Sequence, residues 1–364
     1  MKKKRITLLL VGLLVCSGCS DHGIRQTSEQ PGALEAGEKT EENKAAGDEA
    51  EPYASRDVFA MDTYMTFTAY GMNAEEAVAD AQELILELDE MLSTGREESE
   101  VSILNRNGSG ELSEDAFYLL QQSIHMCQKT EGAFNPAVYP LMQAWGFPTK
   151  EFRVPEKEVI DKCLSVLDVS QIQSDASDGH VEFQAEGMKV DFGGIAKGYT
   201  SSRIVDVFKE HGIESGIINL GGNVQTLGTK VDGSLWRVAI QSPREDMDYL
   251  GVLETSDKAV ITSGGYERYF EEDGVVYHHI LDPSTGYPAE NGLISVTIIS
   301  ENGVLADGLS TALYVMGLER AEEFWRQNSG EFEAVFMTDD EELYVTEGIL
   351  ESFSTSYNMH VIER

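Results

Sequence analysis

Four segments of the chain combine glycine, hydroxyl, carboxylate and basic residues at spacings that could do chemistry. In Ala306-Asp307-Gly308-Leu309-Ser310-Thr311-Ala312, Asp307 and Thr311 stand four apart in a helical pattern, so a carboxylate and a hydroxyl share one face. Such oxygen donors suit Mg²⁺, a hard cation that keeps waters and substrate phosphates as its other ligands. An Asp that only complements a helix dipole fits the same spacing. Asp191-Phe192-Gly193-Gly194-Ile195-Ala196-Lys197-Gly198-Tyr199 runs from an extended stretch through two glycines into a helix start. Free amides at such a turn suit an anion, and Lys197 adds a charge. A tight turn that merely carries a Lys fits too, because neither a Walker loop nor a dinucleotide fingerprint is present.

The third segment is Thr262-Ser263-Gly264-Gly265-Tyr266, followed by His278-His279-Ile280-Leu281-Asp282-Pro283-Ser284-Thr285-Gly286. Strand alternation puts His278 and His279 on opposite faces. Each alone fits a structural His, but beside a phosphate loop one of them becomes a candidate general base. The fourth, Gly132-Ala133-Phe134-Asn135-Pro136, closes a helix and is equally readable as a C-cap.

These segments must be positioned by a mixed α/β framework. Val58 to Ala69 reads as a first strand. Apolar residues at three-and-four spacing from Ala74 to Leu92 predict a helix, with Asn73 as cap and Glu76 completing a capping box. Ser113 to Lys129 repeats the pattern and stops at Gly132. Met188 to Phe192 reads as a strand, Ala196 to His211 as a helix and Ile217 to Leu220 as a strand, a βαβ-like stretch. Further strands are expected at Trp236 to Gln241, Ala259 to Thr262, Val275 to Leu281 and Leu293 to Ile299. Helices follow at Ala306 to Met316 and Leu318 to Gln327, then a hairpin at Ala334 to Met337 and Leu343 to Val345. The fold class is therefore mixed α/β, α+β in character with antiparallel-rich sheets, not a doubly wound sheet.

The chain has 364 residues with 64 Asp and Glu against 27 Lys and Arg, a net charge of −37 that disfavours nucleic acid. A phosphate ligand must then be met by amides, a few placed Lys residues or a divalent cation. Lys2, Lys3, Lys4 and Arg5 precede an apolar run from Ile6 to Val15, too short to span a bilayer. Cys16-Ser17-Gly18-Cys19 resembles a bacterial lipoprotein cleavage box, although Cys16 stands where Leu is commoner. Residues 1–18 are thus expected to be a signal peptide, with a lipid on Cys19 holding the protein on the extracytoplasmic face of the membrane. Residues 19–52 form an acidic stretch poor in large apolar residues, expected to be a disordered tether, and 53–364 the folded domain. Cys127 and Cys163 both fall at apolar helix positions, so two buried thiols are expected ahead of a disulfide.

In order and register, these segments resemble the ApbE family, the FAD:protein FMN transferases. The matching stretches include Met61-Asp62-Thr63, Gly132, Trp145-Gly146-Phe147, Asp191 to Tyr199, Asn219-Leu220-Gly221-Gly222-Asn223, Thr262 to Tyr266, His279 to Gly286, and Ala306 to Gly317. The resemblance implies a fold with flavin in a cleft between two parts. It also implies Mg²⁺-dependent transfer of FMN from FAD onto a Thr or Ser hydroxyl of an acceptor flavoprotein, through a phosphoester bond, with release of AMP. Membrane electron-transport complexes and extracytoplasmic flavoproteins are the implied acceptors. Flavin contacts are implied at Met61, Ala133, Phe134, Asn135, Asp191, Lys197 and Ile280, metal ligands at Gly194, Asp307 and Thr311, and the general base at His279. The chain departs from the family pattern at Asp62 and Asn135, and at Ser93-Thr94-Gly95, where an aromatic residue is usual after Ser-Thr. Less cover over the flavin would favour water as acceptor, so an FAD pyrophosphatase is one alternative and a non-catalytic FAD-binding lipoprotein the other.

Overall fold

The computed structural model describes residues 51–244 and 249–364. The expected signal peptide, Cys19 and most of the expected tether lie outside the described residues.

The framework is one nine-stranded sheet whose strands follow each other in space in chain order. They are Tyr53–Ala60, Thr63–Tyr70, Ser215–Leu220, Asn223–Leu227, Ala259–Gly264, Leu293–Ser300, Glu333–Thr338, Leu343–Thr346 and Met359–Ile362. Every pairing is antiparallel except the last, between Leu343–Thr346 and Met359–Ile362. The helices are α1 (Ala74–Leu92), α2 (Glu100–Asn107), α3 (Glu114–Lys129), α4 (Tyr139–Trp145), α5 (Lys157–Leu164), α6 (Ala196–Glu210), α7 (Gly303–Met316) and α8 (Leu318–Asn328). Among the described residues no helix is long and apolar enough to cross a membrane.

Side-chain alternation explains why the central strands are almost continuously apolar. Ile261, Ile298, Ala334 and Phe336 join the large core that contains α7, whereas Val260, Ile299, Val335 and Met337 join a core on the opposite face. That second core is closed by a small sheet of Trp236–Gln241, Tyr249–Thr255 and Phe353–Ser354, so both faces are dry, as such runs require. Toward the first strands α1 and α6 close a third core on Met65, Phe67 and Ile218.

The structure corrects three local expectations. Val58 to Ala69 is not one strand, because Met61 and Asp62 both take left-handed φ values of 49° and 60° and turn the chain into a two-residue hairpin. No capping box forms at Asn73, whose side-chain amide instead donates to the carbonyl of His211 at 2.9 Å. Met188 to Phe192 is not a strand, so the βαβ unit expected there is absent. Its backbone is paired by a side chain: the amide of buried Asn105 accepts from Val190 N and donates to Val190 O, each at 2.7 Å. That exchange satisfies both peptide groups without a neighbouring strand. Cys127 and Cys163 are free thiols, the first buried and the second half-buried.

One contact sets how closely the helices pack. A Cβ on Gly198 would lie 2.1 Å from the carbonyl oxygen of Gly303, so α6 and α7 touch backbone to backbone. Gly198→Ala should therefore cost about 1–3 kcal/mol through forced separation of the helices. Urea unfolding checks this, and an unchanged midpoint would contradict the close contact.

Candidate functional site

Asp307 is the centre on which several elements converge. The side chain of Asn302 caps α7 by accepting from Leu305 N at 3.1 Å, so the helix starts at Gly303 and Asp307 lies a full turn inside it. The cap role is thereby taken, and Asp307 is free for another. It is 4% exposed, and its two oxygens accept from Gly198 N at 2.8 Å and from Asn223 Nδ2 at 3.0 Å. Ile195, which precedes α6, offers no side-chain cap, so the Asp307 carboxylate serves as the acceptor for that helix N-terminus. Only neutral dipoles meet its charge in these two bonds, which leaves lone pairs for a cation.

Thr311 follows one turn on, with Oγ1 at 3.3 Å from Ser263 Oγ, which in turn lies 2.8 Å from Ser310 Oγ. Gly194 faces this hydroxyl: a Cβ there would sit 3.7 Å from Thr311 Oγ1 and 3.1 Å from Phe134 Cε2. Phe134 and Ala133 are buried, and Phe134 N donates to Thr130 Oγ1 at 3.1 Å. The structure therefore brings the first, second and fourth sequence segments together, and Ser263 of the third joins them. Among the described residues no group of three His, Cys, Asp or Glu could hold a metal. The donors at hand are one carboxylate, one hydroxyl and loop backbone, a set that fits Mg²⁺ completed by phosphates and water.

Asp191 forms another wall. Its oxygens accept from Gly193 N at 2.8 Å and from Thr94 Oγ1 at 3.2 Å, while Thr94 O accepts from the Tyr139 hydroxyl at 3.2 Å. The departing segment Ser93-Thr94-Gly95 thus borders the site, with Gly95 exposed. Asp191 and Glu267 are surrounded by protein yet still reached by solvent, as groups on the walls of a cleft are, and burial raises the pKa of both. Asn135 spends its side chain locally, donating to Leu167 O and accepting from Ala137 N, both at 2.9 Å. Met61 is fixed by its amide, which donates to Asp89 Oδ1 at 2.8 Å, and its sulfur lies 3.8 Å from Thr200 Oγ1.

The two histidines have different fates. Both ring nitrogens of His278 are occupied, Nε2 on Ala289 O at 3.1 Å and Nδ1 accepting from Ile280 N at 3.3 Å. His279 lies just beyond the strand Val275–His278, and its Nδ1 sits 3.2 Å from Arg268 O. A carbonyl can only accept, so Nδ1 carries the proton and Nε2 the lone pair. Phe147 packs edge-on against this ring at 6.4 Å between centroids, inside an aromatic group with Phe152, Phe270, Tyr277 and Trp145. Ile280 is buried beside it. Desolvation first, then the Arg268 guanidinium, push the His279 pKa well below 6.5, with Lys197 adding to the effect.

Sequence reasoning gave no role to Asn223, Ser263, Asp89 or Arg268. Asn223 and Ser263 were visible as members of polar, glycine-containing segments, but Asp89 and Arg268 had no local signal.

Three comparisons bear on what the site does. Residues 61–336 match the model of the ApbE family. A protein of Klebsiella pneumoniae (strain 342) named FAD:protein FMN transferase is 34% identical over 277 residues, 75% of this chain and 85% of its own length. Among solved structures, the ApbE protein of Thermotoga maritima is 32% identical with a TM-score of 0.76, covering 82% of this chain and 98% of its own. The flavin transferase ApbE of Vibrio cholerae is 27% identical with a TM-score of 0.74, covering 83% and 99%.

The neutral His279 has a measurable signature. Its imidazole NMR signals should show no midpoint near 6.5 and should titrate only well below it. Because the unfolded chain takes up a proton near 6.5 that the folded ring refuses, this residue's share of stability falls as the pH drops below that value. A normal midpoint in the folded protein would contradict the packing described.

Proposed function

The chain belongs to the ApbE family, and we propose that it acts as an FAD:protein FMN transferase, moving FMN from FAD onto a Ser or Thr hydroxyl of an acceptor flavoprotein. The observation that carries this reading is the buried Asp307, held by two amides beside Thr311 and the Gly193-Gly194 turn. Gly194, Asp307 and Thr311 would hold Mg²⁺. A cation bound there supplies neutralisation of charge on the diphosphate and the departing AMP.

The chain's own residues account for the remaining work. Lys197 and the turn amides bind the phosphoryl oxygens, and Met61, Ala133, Phe134, Asn135, Asp191 and Ile280 border the flavin. His279 Nε2 accepts the proton of the acceptor hydroxyl as its oxygen bonds to the FMN phosphorus and the bond to AMP breaks. With the tautomer fixed by Arg268 O, the lone pair needs no rearrangement before it takes that proton. Water in place of the hydroxyl would give FMN and AMP, an outcome favoured by the bare Gly95 beside Asp191.

We also propose that residues 1–18 are removed and that a lipid on Cys19 anchors the domain outside the cytoplasm, within reach of membrane-bound acceptors. The apolar run after the basic start and the small residues before Cys19 support this. Cys19→Ser should move the protein from the membrane to the soluble fraction.

Mass spectrometry of a candidate acceptor after incubation with FAD and Mg²⁺ tests the transfer, since only transfer adds FMN to a hydroxyl residue. His279→Ala should retain FAD binding and lose about 10²–10⁴-fold in transfer rate. Asp307→Ala should abolish metal-dependent turnover. Free FMN and AMP with an unmodified acceptor would favour hydrolysis, and bound FAD with no AMP would favour a carrier.

A further inference from the structure

The segment Asn219-Leu220-Gly221-Gly222-Asn223 enters the site only through the bond from Asn223 to Asp307. Its geometry is that of a rigid two-residue hairpin: Leu220 pairs with Asn223, and Gly221 and Gly222 take φ values of 64° and 98°. Asn219 Oδ1 braces the turn by accepting from Gly222 N at 2.8 Å. A Cβ on Gly221 would lie 2.1 Å from Thr63 Oγ1, so the turn is pressed against the hairpin that carries Met61 and Asp62. The side chain of Asn223 emerges from this turn 3% exposed and meets Asp307 Oδ1 at 3.0 Å. A carboxylate can only accept there, which fixes the Asn223 amide with Nδ2 toward Asp307.

We propose that Asn223 is a positioning residue for the Asp307 carboxylate, pairing with the Gly198 amide to hold both oxygens in the orientation that receives the divalent cation. The inference rests on the metal reading given above. The two donors differ in kind. Gly198 N belongs to the end of α6 and is tied to the Gly198–Gly303 helix contact, whereas Asn223 reaches Asp307 from the sheet. Together they tie the carboxylate to two independent elements, so rotation about its side-chain bonds would break at least one bond to a buried donor. Outer-shell hydrogen bonds of this type fix a ligand's orientation and tune its affinity for metal.

The test uses Mn²⁺ as probe on the full chain, with free Mn²⁺ followed by electron paramagnetic resonance, in the wild type and in Asn223→Ala, Asn223→Leu and Asp307→Ala. Removal of the Asn223 donor should weaken Mn²⁺ binding roughly 10- to 100-fold. The metal-free melting temperature and FAD affinity should stay close to wild type in at least the Leu variant, which keeps the volume. Transfer at saturating metal should largely recover, so the defect appears in the metal concentration required and not in the maximal rate. Unchanged Mn²⁺ affinity in the Asn223 variants, with binding lost in Asp307→Ala, would overturn the positioning role alone. Wild-type affinity in Asp307→Ala would overturn the metal reading, and this role with it.

Discussion

A buried carboxylate needs hydrogen-bond donors, and the architecture around Asp307 follows from meeting that need. Its charge sits inside a helix-on-sheet core, where an unpaired ion would cost several kcal/mol. The structure answers with one donor from a helix N-terminus and one from a sheet hairpin. The first is available only because Gly198 and Gly303 let α6 and α7 meet at backbone distance. The second depends on the Gly221-Gly222 turn, whose left-handed conformation brings Asn223 to the carboxylate. Four glycines from three separate stretches of the sequence are thus explained by one buried carboxylate.

The same economy governs the other wall. His279 stands after the strand Val275–His278, which pairs only with Tyr269–Glu272 and gains its support from aromatic packing. Trp145 contributes both to that packing and, through Nε1, a 2.9 Å bond to Gly286 O beyond the histidines. Gly146 is required between Trp145 and Phe147, since at φ 79° a Cβ would lie 2.0 Å from Glu151 O. The Trp145-Gly146-Phe147 segment therefore helps hold His279 in place, with Phe147 meeting it by a ring edge.

Helices with a regular apolar stripe were legible in the sequence, and α1, α3, α6, α7 and α8 lie within a few residues of their expected spans. What escaped was structure whose signal is tertiary. The strand expected at Met188 to Phe192 failed because Asn105, distant in sequence, supplies the pairing. The hairpin at Met61-Asp62 escaped because Met61 is not a usual left-handed former and Asp62, which is, carries no neighbouring glycine to mark a turn. Within the site, spacing alone put Asp307 and Thr311 on one helix face, and it was the resemblance to the ApbE family that joined Gly194 to them. Periodicity alone could not decide between His278 and His279. The resemblance to the ApbE family pointed to His279, and three-dimensional contacts show that both ring nitrogens of His278 are occupied.

The charges around the cleft make a final constraint. Asp191, Glu267 and Asp307 lie near Lys197 and Arg268, three carboxylates against two cations, in a chain whose net charge is −37. Burial raises the pKa of Asp191 and Glu267, which eases the crowding by disfavouring their ionised forms. An FAD diphosphate entering such a site meets a protein of its own sign, so long-range steering cannot draw it in. On the proposed reading, attraction would come from contacts within a few ångströms: the turn amides, Lys197, Arg268 and a cation on Asp307. Binding of the diphosphate and of the cation should then reinforce each other, since each reduces the charge penalty the other faces. On that reading, the coupling gives the site a reason to have a carboxylate at Asp307, although an uncharged side chain there would cost the empty protein less.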